Sequence, residues 1–362
     1  MPTIMQVGFK AVLIPFNSPE FFRIDAPAAT VNFGEYPSVS EDGTWAVISS
    51  GSNQHRLYEK VGSSYVFRDT EGASSSNHGH LSPDGNNFVF ENTNLDTINT
   101  QRSGATFGTS QGLTGGTSNR EDIPARDSNI FALDGDRLVL RSGGSSTDNW
   151  SFWTRSAGSY NFGAQLDIGN NTVGVVSVSH NGDVVVTTND STDQMKIWVW
   201  NGSTYIDTQS ISSGTHGFAT ISSCALNNDG SVIAISGGSG GTKILVRSGT
   251  WSITQTLSNI SGGVVSMSED GLLAIGDSSA DIYGDDARGV VHIHQISGTT
   301  YSSTPTSVVQ IPAADRATFS GSSFLFGDVV RMAPDGSRMA VSARTVEHTP
   351  VTQLGSAYII ES

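Results

Sequence analysis

The 362-residue chain has one cysteine, Cys224, so neither an intramolecular disulfide framework nor the usual cysteine-rich zinc site is open to it. Basic residues are scarce too: 19 Lys and Arg against 34 Asp and Glu leave a net charge of −15. Nucleic-acid binding needs clustered Lys and Arg, and here they are few and scattered, which argues against it. No apolar run approaches the ~18 residues of a membrane-spanning helix, so membrane insertion is not expected. The stretch Met1–Lys10 lacks a basic segment followed by an apolar one, which reads as a chain without a signal peptide, made in a cytoplasm. Charged residues at 15% also fall below the usual ~25%. Ser, Thr, Asn and 41 glycines fill the gap, a mixture that disfavours long helices and favours short strands joined by many turns.

What is present in quantity is a repeat. An apolar strand leads to Ser or Ala, then one or two residues, then Asp-Gly or Asn-Gly, then a second apolar strand. The Asp or Asn stands at positions 42, 84, 134, 181, 229, 270 and 335, at separations of 42, 50, 47, 48, 41 and 65 residues. Asp-Gly between apolar runs signals a hairpin, with a type I′ turn expected because both its central residues need positive φ. These aspartates therefore read as turn formers and not as chemistry.

Each of the first six units carries a second hairpin, marked by a glycine and an aromatic two or three residues later. The pairs are Gly62 and Tyr65, Gly104 and Phe107, Gly158 and Tyr160, Gly202 and Tyr205, Gly249 and Trp251, Gly298 and Tyr301. Four strands in 40 to 50 residues is the period of a propeller blade.

The seventh unit runs out of chain after Ser356–Ile360, and Glu20–Asp25 supplies an apolar strand at the other end. Ala26–Gly34 and Ile311–Phe319, the latter with Phe326-Gly327 beyond it, look like one element at two places in a ring. The expected fold is an all-β, seven-bladed β-propeller of four-stranded blades, closed by the N-terminal strand joining the last blade, which leaves no long unpaired edge. The propeller occupies residues 20–362, and residues 1–19, with Val12–Phe16, form an extension that covers the fold or docks onto a partner. Insertions stand at 119–127 and 277–289.

The run Phe326-Gly327-Asp328 through Asp335-Gly336 to Ala343, then Gly355-Ser356-Ala357-Tyr358, resembles an FG-GAP repeat. Ser268–Gly276 followed by Gly289–Ile293 is similar, and Phe33-Gly34 before Asp42-Gly43 gives a third instance. The resemblance implies the seven-bladed propeller of integrin α subunits and of phage and environmental proteins. That family binds calcium in an Asp-x-Asp-x-Asp-Gly loop, whereas these turns hold one aspartate each, and calcium needs six to eight oxygens.

Candidate site residues are few. Asp277, Asp281, Asp285 and Asp286 crowd one loop and have the density to chelate calcium; a solvated acidic loop explains them equally. His292 and His294 share a strand face. Trp198 and Trp200 also share a face, beside Tyr205, and with Trp150 and Trp153 they are the candidate platforms for stacking on sugars. Packing between blades is the alternative for the first pair, while Trp150 and Trp153 are expected to be more exposed. No nucleophile elbow, phosphate loop or metalloprotease helix is present. The expectation is a non-enzymatic structural or adhesion module of a phage or virus particle, a virion component contacting other structural proteins and a host glycan or protein, with no cofactor beyond that calcium. The alternatives are a carbohydrate-binding or carbohydrate-cleaving propeller and, more remotely, a WD-repeat-like interaction hub.

Overall fold

The computed structural model describes residues 16–27, 33–50, 54–71, 78–91, 97–113, 121–122, 129–132, 135–142, 149–167, 173–189, 191–258, 260, 263–280, 289–320, 324–344, 347–348 and 355–362. Those residues form seven four-stranded antiparallel sheets arranged as the blades of a β-propeller. Two helices of four residues each, Ser213–His216 and Ala313–Arg316, interrupt them. Blades 1 to 6 run up and down in chain order. Blade 1, for example, is Pro37–Val39, Trp45–Ser50, Gln54–Val61 and Ser64–Glu71. In blade 7, Val330–Met332, Arg338–Ala343 and Ser356–Glu361 are completed by Glu20–Asp25, paired along its whole length from Glu20 opposite Glu361 to Asp25 opposite Ser356. The insertion at 119–127 contributes Glu121–Asp122 to blade 3, where it pairs with Ser142 and Arg141.

The Asp-Gly turns differ from the type I′ expectation. The glycine N–H bonds to the carbonyl three residues earlier, as from Gly43 to Ser40 at 3.0 Å and from Gly182 to Ser179 at 2.8 Å. Glycine is thus the last residue of the turn, and it alone has positive φ, while Asp42, Asp84, Asn181, Asp229, Asp270 and Asp335 do not. The side chains explain why. Asp42 accepts from the Thr44 N–H at 2.9 Å and from the Ser40 hydroxyl at 2.6 Å, and Ser40 in turn accepts from the Trp45 N–H at 3.0 Å. Ser82 with Asp84 and Ser179 with Asn181 repeat this network. Such local bonding holds the aspartate in an ordinary turn conformation and leaves the left-handed step to glycine. Gly62, Gly104 and Gly298 in the second hairpins each take positive φ at the first of two loop residues, the II′ geometry that matches strand twist.

The aromatic after each second hairpin has a defined task. The hydroxyls of Tyr65, Tyr205 and Tyr301 donate to the carbonyls of Gly43, Gly182 and Gly271 at 2.5 to 2.6 Å, and Tyr160 donates to Gly135. Trp251 does the same for Gly230 through its indole N–H at 2.8 Å. Each aromatic therefore locks the Asp-Gly turn of its own blade. Phe107 has no hydroxyl, and in blade 2 the Arg102 Nε takes over, donating to Gly85 at 2.9 Å. Neighbouring blades are joined by side-chain amides. Gln255 bonds both the N–H and the carbonyl of Tyr301, and Gln209 and Gln111 do so for Trp251 and Tyr160.

The two Phe-Gly elements also prove equivalent. Gly34 donates to Ser49 and Gly327 to Ser342, both at 3.1 Å, on the second strands of blades 1 and 7. Phe33 and Phe326 are fully buried. Gly34 and Gly327 have φ of 81° and 82°, and a Cβ on either would run into the backbone of the preceding blade. Among the described residues the core forms six clusters around the ring. Phe16, from the leading segment, is buried in the cluster between blades 6 and 7 beside Val309, Ile311 and Phe324. Residues 1–15 of that segment lie outside the described residues.

Candidate functional site

The inner strands of all seven blades face the propeller axis, and around it lies a partly open cavity of about 60 Å³, room for a few waters. Serines stitch the wall from blade to blade. Ser38 accepts from the Leu81 N–H at 3.2 Å, Ser223 from Val265 at 3.0 Å and Ser266 from Met332 at 2.9 Å. Two longer ties each skip a blade. His180 of blade 4 bonds the Met267 carbonyl of blade 6 through Nε2 at 2.8 Å. Arg331 of blade 7 donates to the Gly79 carbonyl and to His80 Nε2 of blade 2, both at 2.9 Å.

These contacts settle the tautomers. A carbonyl only accepts, so His180 carries its proton on Nε2 and leaves Nδ1 a lone pair. A guanidinium only donates, so His80 Nε2 is the acceptor and its proton sits on Nδ1. Burial pushes the pKa of both rings down, and for His80 the Arg331 charge adds to it. Both rings are therefore neutral near pH 7. Cys224, also on the wall, is buried and its thiol is pushed up by burial, which keeps it protonated and unreactive.

At the mouth of the channel the turns interlock. Glu41 donates from its N–H to Pro83, Asn181 to Asn228, Asn228 to Glu269 and Glu269 to Pro334. Pro334 has no N–H to continue the series, and there Arg338 donates to the Glu41 carbonyl instead. Residues 42, 84, 229, 270 and 335 of these turns are exposed; the Asp84 carboxylate is partly covered 3.8 Å from Arg155, and that of Asp335 lies 3.7 Å from Arg338. Burial and the nearby Asp335 push the Glu41 carboxyl up. Asp42 is held below the ordinary range: burial opposes this, but bonds from Ser40 and Thr44 outweigh it.

The expected site residues lie elsewhere. Trp150, Trp153 and Trp198 are 0%, 3% and 6% exposed in the cluster spanning blades 2 to 4, so the expected exposure of Trp150 and Trp153 is corrected. Residues on the second and third strands of a blade face adjoining blades, and these indoles fill that space. Trp153 donates to Ser151 and Trp198 to Thr187. Trp200 is half-buried under the Arg137 guanidinium, 5.2 Å from its ring centre, and meets Phe152 and Tyr205 edge to face. None of the four is an open platform for a sugar. Asp277 closes a local turn by accepting from the Ser279 N–H and hydroxyl, whereas Asp281, Asp285 and Asp286 lie outside the described residues. Among the described residues no group of three or more His, Cys, Asp or Glu is placed to hold a metal ion. His294 is fully buried, bonded to the Ser302 carbonyl at 3.0 Å, and His292 is partly buried; burial lowers the pKa of both.

Sequence reasoning passed over His80, His180 and Arg331. The available signal was Arg331 itself, a guanidinium set between Val330 and Met332 in an innermost strand. Among the described residues no helix is long and apolar enough to cross a membrane. No family model matches the chain, and no curated protein does.

Proposed function

We propose that this chain is a non-enzymatic structural or adhesion module, an FG-GAP-type propeller that docks a partner through the acidic ring of turns. The observation behind this reading is an aspartate at an exposed position in the turns of five blades, on a surface whose turns are bonded blade to blade. A rigid surface meets a partner with little entropy to lose, and its charge selects a basic one. The net charge of −15 adds long-range attraction to such a partner. The equivalence of the elements around Phe33 and Phe326 supports the FG-GAP assignment. Membership of a phage or virus particle rests on the resemblance of the repeat. A host glycan or protein is the further contact in that setting.

The test is native size fractionation of the source material, with mass spectrometry for this chain. Recovery in a multi-megadalton particle, with release by salt and by Asp84→Lys with Asp335→Lys, is the expected result. Recovery as a free species near 38 kDa would remove the reading.

A further inference from the structure

We propose that Asn201 is a self-modification site, whose side-chain amide is converted to aspartate or isoaspartate through a cyclic imide with Gly202. The inference stands apart from the docking of the acidic ring. Asn-Gly pairs are open to this reaction because no Cβ shields the glycine nitrogen that attacks. The chain has two of them, Asn181-Gly182 and Asn201-Gly202, besides six Asp-Gly pairs that could form the same imide. In the seven inner turns the glycine N–H is bound to the carbonyl three residues earlier, at 2.8 to 3.3 Å, which withholds the nitrogen. Gly202 is the exception. Its N–H makes no backbone bond among the described residues, and a Cβ built there would meet nothing within 4 Å.

The carbonyl to be attacked is held ready. Asn201 Oδ1 accepts from the Ser203 N–H at 3.0 Å, the Ser203 hydroxyl at 3.1 Å and the Thr204 N–H at 2.9 Å. Such a turn folds the side chain back over the peptide that follows it. Hydroxide removes the Gly202 proton and the nitrogen bonds to Asn201 Cγ, which sends the negative charge to Oδ1. The three donors already point at that oxygen. The Cγ–Nδ2 bond then breaks, and the amide nitrogen leaves as ammonia with a proton from water, which regenerates hydroxide. Water opens the imide at either carbonyl, giving aspartate, or isoaspartate with the main chain running through Cγ. Asn201, Gly202 and Ser203 are exposed, so water and hydroxide reach the site. Asn181 is held the other way: its Nδ2 donates to Asp183 at 3.0 Å, and the Gly182 N–H is tied to Ser179 at 2.8 Å.

The test incubates the folded chain, and the same chain unfolded in guanidinium, at mildly alkaline pH. Peptide mapping by mass spectrometry reads the mass gain that replaces NH2 by OH. Trypsin cuts after Lys196 and so puts Asn181 and Asn201 on separate peptides. In the folded chain Asn201 is expected to keep at least a tenth of its unfolded rate, and folding should slow Asn181 at least tenfold more than Asn201. Isoaspartate should appear at position 201 beside aspartate, as an imide requires. A folded chain in which Asn201 falls below a tenth of its unfolded rate would overturn the proposal. So would a slowing of Asn181 less than tenfold beyond that of Asn201, or aspartate without isoaspartate, the mark of direct hydrolysis.

Discussion

The ring of Ser-x-Asp-Gly turns and the wall of the axial channel are neighbours along the same chain segments, yet they are built by opposite rules. In the ring, blade after blade solves one problem with one set of bonds. Where a residue type departs from the repeat the bond is kept by another route, as Arg102 replaces the hydroxyl that Phe107 lacks. In the wall, equivalent positions carry unlike residues. Where position x of the turn reaches the wall it is Pro83, His180 or Pro334, and His180 alone among them reaches across the axis to skip a blade. The lesson is that repetition marks the scaffold of this molecule. Departure from repetition, at buried polar residues, marks the bonds that cross the axis.

The sharpest way to break the ring is Gly230→Val. Gly230 has a φ of 66°, and a Cβ there would collide with Val184 of the preceding blade. Strain and overpacking together should destabilise the protein by about 3 kcal/mol or more, read from denaturant unfolding with activity-independent fluorescence. A change below about 1 kcal/mol would show that the turns are not rigidly interlocked.

Acid separates core and channel from ring. Burial, aided by His78, brings His55 down to about 3, and burial also lowers His80 and His180. A histidine with a depressed folded pKa contributes stability above its unfolded pKa of ~6.5 and loses it as pH falls towards the folded value. For His55 alone the loss at pH 5 amounts to about 2 kcal/mol. Asp42 of the ring, held below its ordinary value, adds a loss confined to pH below ~4. Thermal melts from pH 7 to pH 3 should therefore fall in two stages, and His55→Gln should flatten only the first.

Tyr301→Phe removes the partner of the Gly271 carbonyl and should cost about 1 to 2 kcal/mol. Arg102→Ala, which strips the Gly85 carbonyl in blade 2, should cost a similar amount, while Phe107→Tyr should gain nothing. Unfolding curves that placed Arg102→Ala near zero would refute the substitution of one lock for another. The smallest effect is expected in the wall. His180→Leu loses the bond to Met267 but also the unmet Nδ1, and the two should offset to within about 1 kcal/mol.

The fold was legible because each blade carries its own turn chemistry. Serine, aspartate, glycine and the following aromatic are local partners whose spacing repeats, so Tyr65 and Gly43 advertise one blade and Tyr301 and Gly271 another. Even ring closure was readable, since Glu20–Asp25 and Ser356–Glu361 are both apolar strands missing a neighbour. The turn type was not. It depends on which residue accepts the turn bond, and Asp-Gly alone does not say that glycine closes the turn. The tryptophans misled for a related reason. Alternation along a strand says that Trp198 and Trp200 share a face, but whether that face meets solvent or the next blade depends on a packing partner from another blade.

Sequence alone determined the number of blades, their strand order and their closure, because these follow from hydrogen bonds between residues close in the chain and from a period repeated seven times. Only the tertiary structure decided what lies on the axis. His180 meets Met267 from 87 residues away, and Arg331 meets His80 across 251. No local spacing encodes those encounters, since they exist only once the ring has closed and brought the seven inner strands to a common centre.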